Sequence, residues 1–166
     1  MRIIVIGGAG AVGRSAVAAL SGRHEIVVAG RSSGAVRVDI RSADSVRAMY
    51  EEIGRFDALV SAAGDAHLGP FDTMSEADLA VGIESKLLGQ IRLVLLGRER
   101  IADGGSFTLM SGYIFDDPIR GSSSYAAANG GVEGFVRAAA LDLSRGVRIN
   151  AVSPGMAEDT AAEFGR

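Results

Sequence analysis

The chain has no cysteine and no tryptophan, two histidines (His24 and His67), and three prolines in 166 residues. Without cysteine there are no disulfides, no thiolate metal sites and no cysteine nucleophile. Two histidines are too few for a histidine metal site, so no metal is expected. No apolar run approaches the roughly 18 residues that a membrane span needs. Charge of one sign is missing too. Lys and Arg (17) and Asp and Glu (20) are scattered and leave a net −3, so neither nucleic acid nor a membrane surface is an expected partner. The start "MRIIVIGGAGAVGRSAVAA" has the basic residue and apolar run of a signal peptide. Gly7, Gly8, Gly10 and Gly13 interrupt that run and Arg14 follows it, so a cytoplasmic location is expected.

What is present is apolar: 48% of residues are hydrophobic, which excludes disorder, and the length suits one domain over residues 1–166. Short β-branched runs alternate with longer helical stretches. Residues 2–7, 25–30, 36–40, 57–63, 106–111 and 147–154 read as strands, apolar throughout as strands covered on both faces are. Residues 11–21, 42–53, about 75–98 and about 123–144 read as helices, with Ser42 as an N-cap and Gly54 as a stop. Strict alternation implies a parallel sheet with right-handed crossovers, an open α/β fold. Ligands of such folds bind at the carboxyl ends of the strands, where the strand order reverses.

The first strand runs into "GGAGAVG", which then opens a helix. Glycines there let the backbone turn tightly and approach a pyrophosphate resting on a helix N-terminus, so dinucleotide binding is expected. The second strand ends in Arg31, Ser32 and Ser33 with no acid to hold a ribose 2′-hydroxyl. A guanidinium matches a 2′-phosphate in charge and geometry, which favours NADP(H) over NAD(H).

Three later segments follow in a recognisable order: "DALVSAAG", "YAAANGGVEGFVRAAALDL" and "RGVRINAVSPG". With the glycine loop, they make the sequence resemble the short-chain dehydrogenase/reductase family over essentially its whole length. The resemblance implies a Rossmann-like, doubly wound parallel sheet in three layers, with helices on both faces. The family pattern continues with a substrate-covering segment and a last strand, which is expected to be missing here. Carried residue by residue, the family's glycine loop corresponds to Gly7, Gly10 and Gly13, with Val12 inside it. Its adenine-side aspartate corresponds to Asp39, followed by Ile40. Its "NAG" turn corresponds to Ala62, Ala63 and Gly64, with alanine for asparagine. The turn beside the nicotinamide corresponds to Pro154 and Gly155, and the tyrosine acid/base to Tyr125. Helices 79–97 and 123–144 correspond to the usual interface of a homo-oligomer.

Two positions depart from the family. The lysine four residues after the tyrosine is Asn129. Counting back to the family serine lands on Gly112, with Ser111 one position earlier, so Ser111 is the candidate donor to a substrate carbonyl. The lost lysine matters because its ammonium lowers a phenol pKa that otherwise sits near 10. In the family, the helix after the "NAG" strand carries an asparagine linked to that lysine through a water. The matching residue, three before Gly89, is Lys86. Lysine and asparagine therefore stand in each other's places, and Lys86 is the expected source of the missing charge. The other reading pairs Lys86 with Glu84 or Asp78, or leaves it in solvent. Two functions follow from these residues: an oxidoreductase acting on a small carbonyl or alcohol, or an NADP(H)-binding sensor or partner-binding module without turnover. A nucleotide-binding transferase would share the glycine loop but not the tyrosine helix.

Overall fold

Val and Ile suit the pleated, crowded environment of a buried strand better than a helix, and the runs built from them form the sheet. The structure, a computed structural model, describes residues 1–155. Its strands are β1 (Arg2–Ile6), β2 (Glu25–Gly30), β3 (Val36–Arg37), β4 (Phe56–Ser61), β5 (Ile101–Met110) and β6 (Arg148–Val152). All neighbours pair in parallel, in the order β3-β2-β1-β4-β5-β6. This is the dinucleotide-binding order, whose direction reverses between β1 and β4 and opens a crevice at their carboxyl ends. Val5 lies between Val28 and Val60 in register, at the centre of the sheet.

The helices are α1 (Ala11–Ser21), α2 (Ala43–Ile53), α3 (Glu76–Gly82), α4 (Gly89–Gly97) and α5 (Ser123–Asp142). Ser42 caps α2 by accepting from the Ser45 N–H, and Gly54 ends it at φ +76°. Ile3, Val5 and Ala58 pack with Val17 and Leu20 of α1 on one face of the sheet. Ile4, Ile6, Leu59 and Phe107 pack with Met49, Leu93 and Val132 of α2, α4 and α5 on the other. Three layers result. On the second face Phe56 stacks on Tyr50 at 5.5 Å, and the buried Tyr50 hydroxyl donates to the Leu93 carbonyl at 2.6 Å.

Three expectations change. Strand β5 spans Ile101–Met110 and so starts five residues before the expected 106–111, pairing Ile101 with Phe56 across an irregularity in the register. Strand β3 covers only Val36–Arg37 of the expected 36–40, because the Asp39 N–H turns away to the Ser45 hydroxyl at 2.9 Å. The helix expected over about 75–98 is three pieces: α3, a π-helical segment over Ile83–Leu88, and α4. The Gly89 N–H donates to the Glu84 carbonyl, five residues back, widening the helix around Lys86.

Candidate active site

The glycine loop is shaped by contacts no other residue allows. Gly7 adopts φ +75° as its N–H donates to the Ala29 carbonyl at 2.8 Å, and the Gly10 N–H closes on the Gly7 carbonyl at 3.0 Å. A Cβ on Gly13 would stand 2.2 Å from the Gly7 oxygen, so α1 can pass this close only with glycine there. No side chain caps α1 at Gly10, and the amides of its first turn are available to an anion. Gly13→Ala is expected to cost about 1–3 kcal/mol, the usual range for forced overpacking, measured by urea unfolding.

Beside this loop lies a crevice of about 340 Å³, lined by Gly7, Gly10, Arg31, Ser32, Asp39, Ile40 and the Ala62–Gly64 turn. Asp39 is clamped by Arg41, whose Nε and Nη2 donate to its two oxygens at 3.0 and 2.6 Å. That guanidinium holds the Asp39 carboxyl down at about 2. Arg31 lies 3.8 Å from the Asp65 carboxylate, with both side chains more than half exposed. An exposed pair of this kind contributes little stability.

The Ala62–Gly64 turn also lines a second cavity of about 270 Å³, so the two spaces meet there. This second cavity is lined by Val12, Lys86, Ser111, Gly112, Tyr125, Asn129, Pro154 and Gly155. Residues distant in sequence, including all four catalytic candidates, therefore share one wall. Ser111 is buried, with its N–H on the Val152 carbonyl and its hydroxyl donating to the Asn129 carbonyl at 3.4 Å. The Tyr113 N–H donates to the Pro154 carbonyl at 3.2 Å, tying the end of β5 to the proline turn. A side chain at Gly112 would meet Asn129, since a Cβ there would lie 2.9 Å from Nδ2.

Asn129 is 1% exposed. Its Nδ2 donates to the Gly112 carbonyl at 3.3 Å, whereas its buried Oδ1 has no partner among the described residues. A buried acceptor left open calls for a donor from outside the protein, a water or a ligand hydroxyl. Lys86, 7% exposed, does not point into bulk solvent. Burial lowers its ammonium to about 8, against an opposing pull from Asp65. Asp78 is engaged with Ser75 and His67, and among the described residues no carboxylate forms an ion pair with Lys86. Gly64, at φ +134°, fits against Lys86 so closely that a Cβ would lie 2.8 Å from the lysine Cα.

Asp116 and Asp117 are exposed and face neither cavity, and Tyr113 and Ile114 line the wall instead. Sequence reading missed Arg41, Ser85 (whose hydroxyl accepts from the Asp65 N–H at 3.0 Å) and Gln90. It also passed over a plain signal. Among the 17 basic residues, Lys86 is the only lysine, and every other is arginine. Arginine cannot give up its proton in a protein, whereas a buried lysine shifts its pKa readily. The one exception to an otherwise all-arginine composition is the cation in this cavity.

Known proteins with this architecture bear directly on the reading. Residues 10–165 match the family model described as enoyl-(acyl carrier protein) reductase. Oxidoreductase UcpA of Salmonella typhimurium is 31% identical over 144 residues, covering 81% of this chain and 54% of UcpA. The chain thus spans about half the length of that relative. The crystal structure of the protein lin1944 from Listeria innocua superposes with a TM-score of 0.97 at 44% identity, over 99% of this chain and 82% of that one. A small-chain dehydrogenase solved in complex with NADPH superposes with a TM-score of 0.87 at 27% identity, over 99% of this chain and 78% of that one. The family model covers most of the chain and the relatives agree with it: the chain belongs to the short-chain dehydrogenase/reductase family.

Proposed function

We propose that the chain is an NADP(H)-dependent oxidoreductase that reduces a small carbonyl or oxidises the matching alcohol. The observation that carries this reading is the gathering of Tyr125, Ser111, Lys86 and Asn129 around one cavity that meets the glycine-loop crevice. The crevice suits a dinucleotide, because the bare backbone of Gly7 and Gly10 lines it where the uncapped N-terminus of α1 begins. Gly7, Gly10, Val12 and Gly13 would hold the pyrophosphate, Asp39 and Ile40 the adenine, and Ala62 to Gly64 with Pro154 and Gly155 the nicotinamide half. The cofactor, when bound, supplies or accepts the hydride. Tyr125 gives its phenolic proton to the carbonyl oxygen as negative charge develops there, and Ser111 donates a hydrogen bond to the same oxygen. Lys86 lowers the phenol pKa by its charge, and the open Asn129 Oδ1 accepts from a ribose hydroxyl or a bridging water. Self-association through helices 79–97 and 123–144 belongs to the same proposal and is supported by the half-exposed Leu95.

The choice of NADP(H) rests on Arg31 and Ser32. Arg31 exchanges a weak, solvent-screened pair with Asp65 for a phosphate dianion. Its relative in complex with NADPH supports the same cofactor. A hydrogen bond to a charged group is worth about 1.5–3 kcal/mol, so Arg31→Ala raises the NADPH Kd roughly 10- to 100-fold. Affinity for NADH, which lacks the phosphate, stays within about twofold because nothing else it touches has changed. Titration calorimetry with both cofactors checks this.

The neutral Asn129 in the lysine position favours a second reading, a cofactor-binding sensor without turnover. NADPH titration followed by absorbance at 340 nm with a panel of small aldehydes and ketones separates the two. The enzyme reading expects oxidation of bound NADPH by at least one of them. Tight binding with no oxidation across the panel supports the sensor.

A further inference from the structure

Helix α4 is apolar along its inner face except for one residue, Gln90, which is fully buried. All of its polar atoms are engaged. Nε2 donates to the Lys86 carbonyl at 2.9 Å and to the Met110 carbonyl at 2.8 Å, while Oε1 accepts from the Met110 N–H at 2.8 Å.

The reason lies in the sheet. β4 pairs with β5 up to Val60 and Thr108, then leaves, and the Ala62 N–H goes to the Ile6 carbonyl of β1. Met110, the last residue of β5, is paired with Val152 of β6 on one side and has lost its strand neighbour on the other. The Gln90 amide takes that neighbour's place and, as a peptide group would, offers Met110 one donor and one acceptor. Its second N–H reaches back to the carbonyl of Lys86, inside the π-helical segment whose widening sets that residue's position.

We infer that Gln90 is a positioning residue that fixes the lysine of the π segment and the serine at the end of β5 as one unit. It touches neither cofactor nor substrate, and lines neither cavity described above. It acts through three backbone atoms, the carbonyl of Lys86 itself and the carbonyl and N–H of Met110, directly before Ser111. Gly64 pressed on the Lys86 backbone and Gly89 pressed on Ile40 hold the same segment from its other sides. The inference rests on the roles proposed for Lys86 and Ser111, but the placement of Lys86 can be read without turnover.

Two measurements on Gln90→Met test it. Methionine keeps length and volume and makes none of the three bonds. A misplacement of about 1 Å at a reacting centre can cost about 10²-fold in rate, so kcat for carbonyl reduction should fall about 10- to 100-fold. The NADPH Kd should stay within about threefold, since Gln90 itself does not line the glycine-loop crevice. Because the chain has a single lysine, labelling with [ζ-¹⁵N]lysine gives one side-chain signal, whose titration midpoint reports on Lys86 directly. That midpoint should move by at least about one pH unit as burial changes. Gln90→Asn, which retains the amide but is too short to span both backbones, serves if Gln90→Met does not fold and should show the same shifts.

A folded variant with unchanged kcat and an unchanged lysine midpoint overturns the inference. So does a variant in which kcat and NADPH binding fall together with the folded fraction, which is a purely structural role. If the wild type turns over no carbonyl, the oxidoreductase reading fails, and the lysine titration still decides the role of Gln90.

Discussion

Tyr125→Phe lowers kcat for carbonyl reduction about 10³-fold, within the 10²- to 10⁴-fold range of a general acid. NADPH affinity remains within about twofold of wild type, because the ring stays and only the hydroxyl is lost. Tyr125 stands on the first turn of α5, half-buried, and lines the wall that also holds Ser111, Lys86 and Asn129. Steady-state kinetics at 340 nm alongside NADPH titration distinguish loss of chemistry from loss of binding. Equal losses in both would mean that the phenol shapes the pocket and moves no proton.

Lys86→Met lowers alcohol oxidation near pH 7 about 10²-fold, a drop within the range for losing a tuned base. In the proposed mechanism Tyr125 accepts a proton in this direction, and the positive charge of Lys86 is what favours its phenolate. The half-maximal pH of oxidation therefore moves up by at least about one unit. Stability moves the opposite way to activity. Burial lowers the ammonium to about 8 from its ordinary 10.5, so the folded state binds the proton less well than the unfolded chain. The resulting penalty is full below pH 8 and is relieved as pH rises from 8 toward 10.5. Removing the amine should raise Tm most at neutral and acidic pH and least at high pH, checked by melting curves across that range. A variant both less active and less stable would mean that Lys86 is held by a partner and serves the fold.

The sequence revealed the parts of this arrangement that have local causes. Val and Ile runs predict the strands, Ser42 and Gly54 bracket α2, and Gly7, Gly8 and Gly13 of the first loop sit where a Cβ would collide. The candidate residues could be found from the order of motifs, and the lone lysine could have been found by counting. Features set by distant contacts were not legible. The π segment has no composition of its own and lies where Gly64 packs against Lys86, with Gly89 against Ile40 just after it. Gln90 stands in an apolar helix, and its role depends on where β4 parts from β5. Arg41 follows Asp39 closely in sequence, yet its clamp on both carboxylate oxygens is a matter of side-chain geometry. The close fit of Gly112 against Asn129 is likewise a contact between residues 17 positions apart.

The central claim is that Lys86 acts on the reaction through the phenol of Tyr125, taking over from the position now held by Asn129. A double-mutant cycle tests this most directly, with kcat for alcohol oxidation measured for Tyr125→Phe, Lys86→Met and the pair. Residues that act as a unit show grossly non-additive effects. Coupling through the phenol predicts that adding Lys86→Met to Tyr125→Phe costs less than about threefold beyond the tyrosine change alone. Full multiplication of the two single losses would show that the lysine and the tyrosine act independently, and would contradict the exchange.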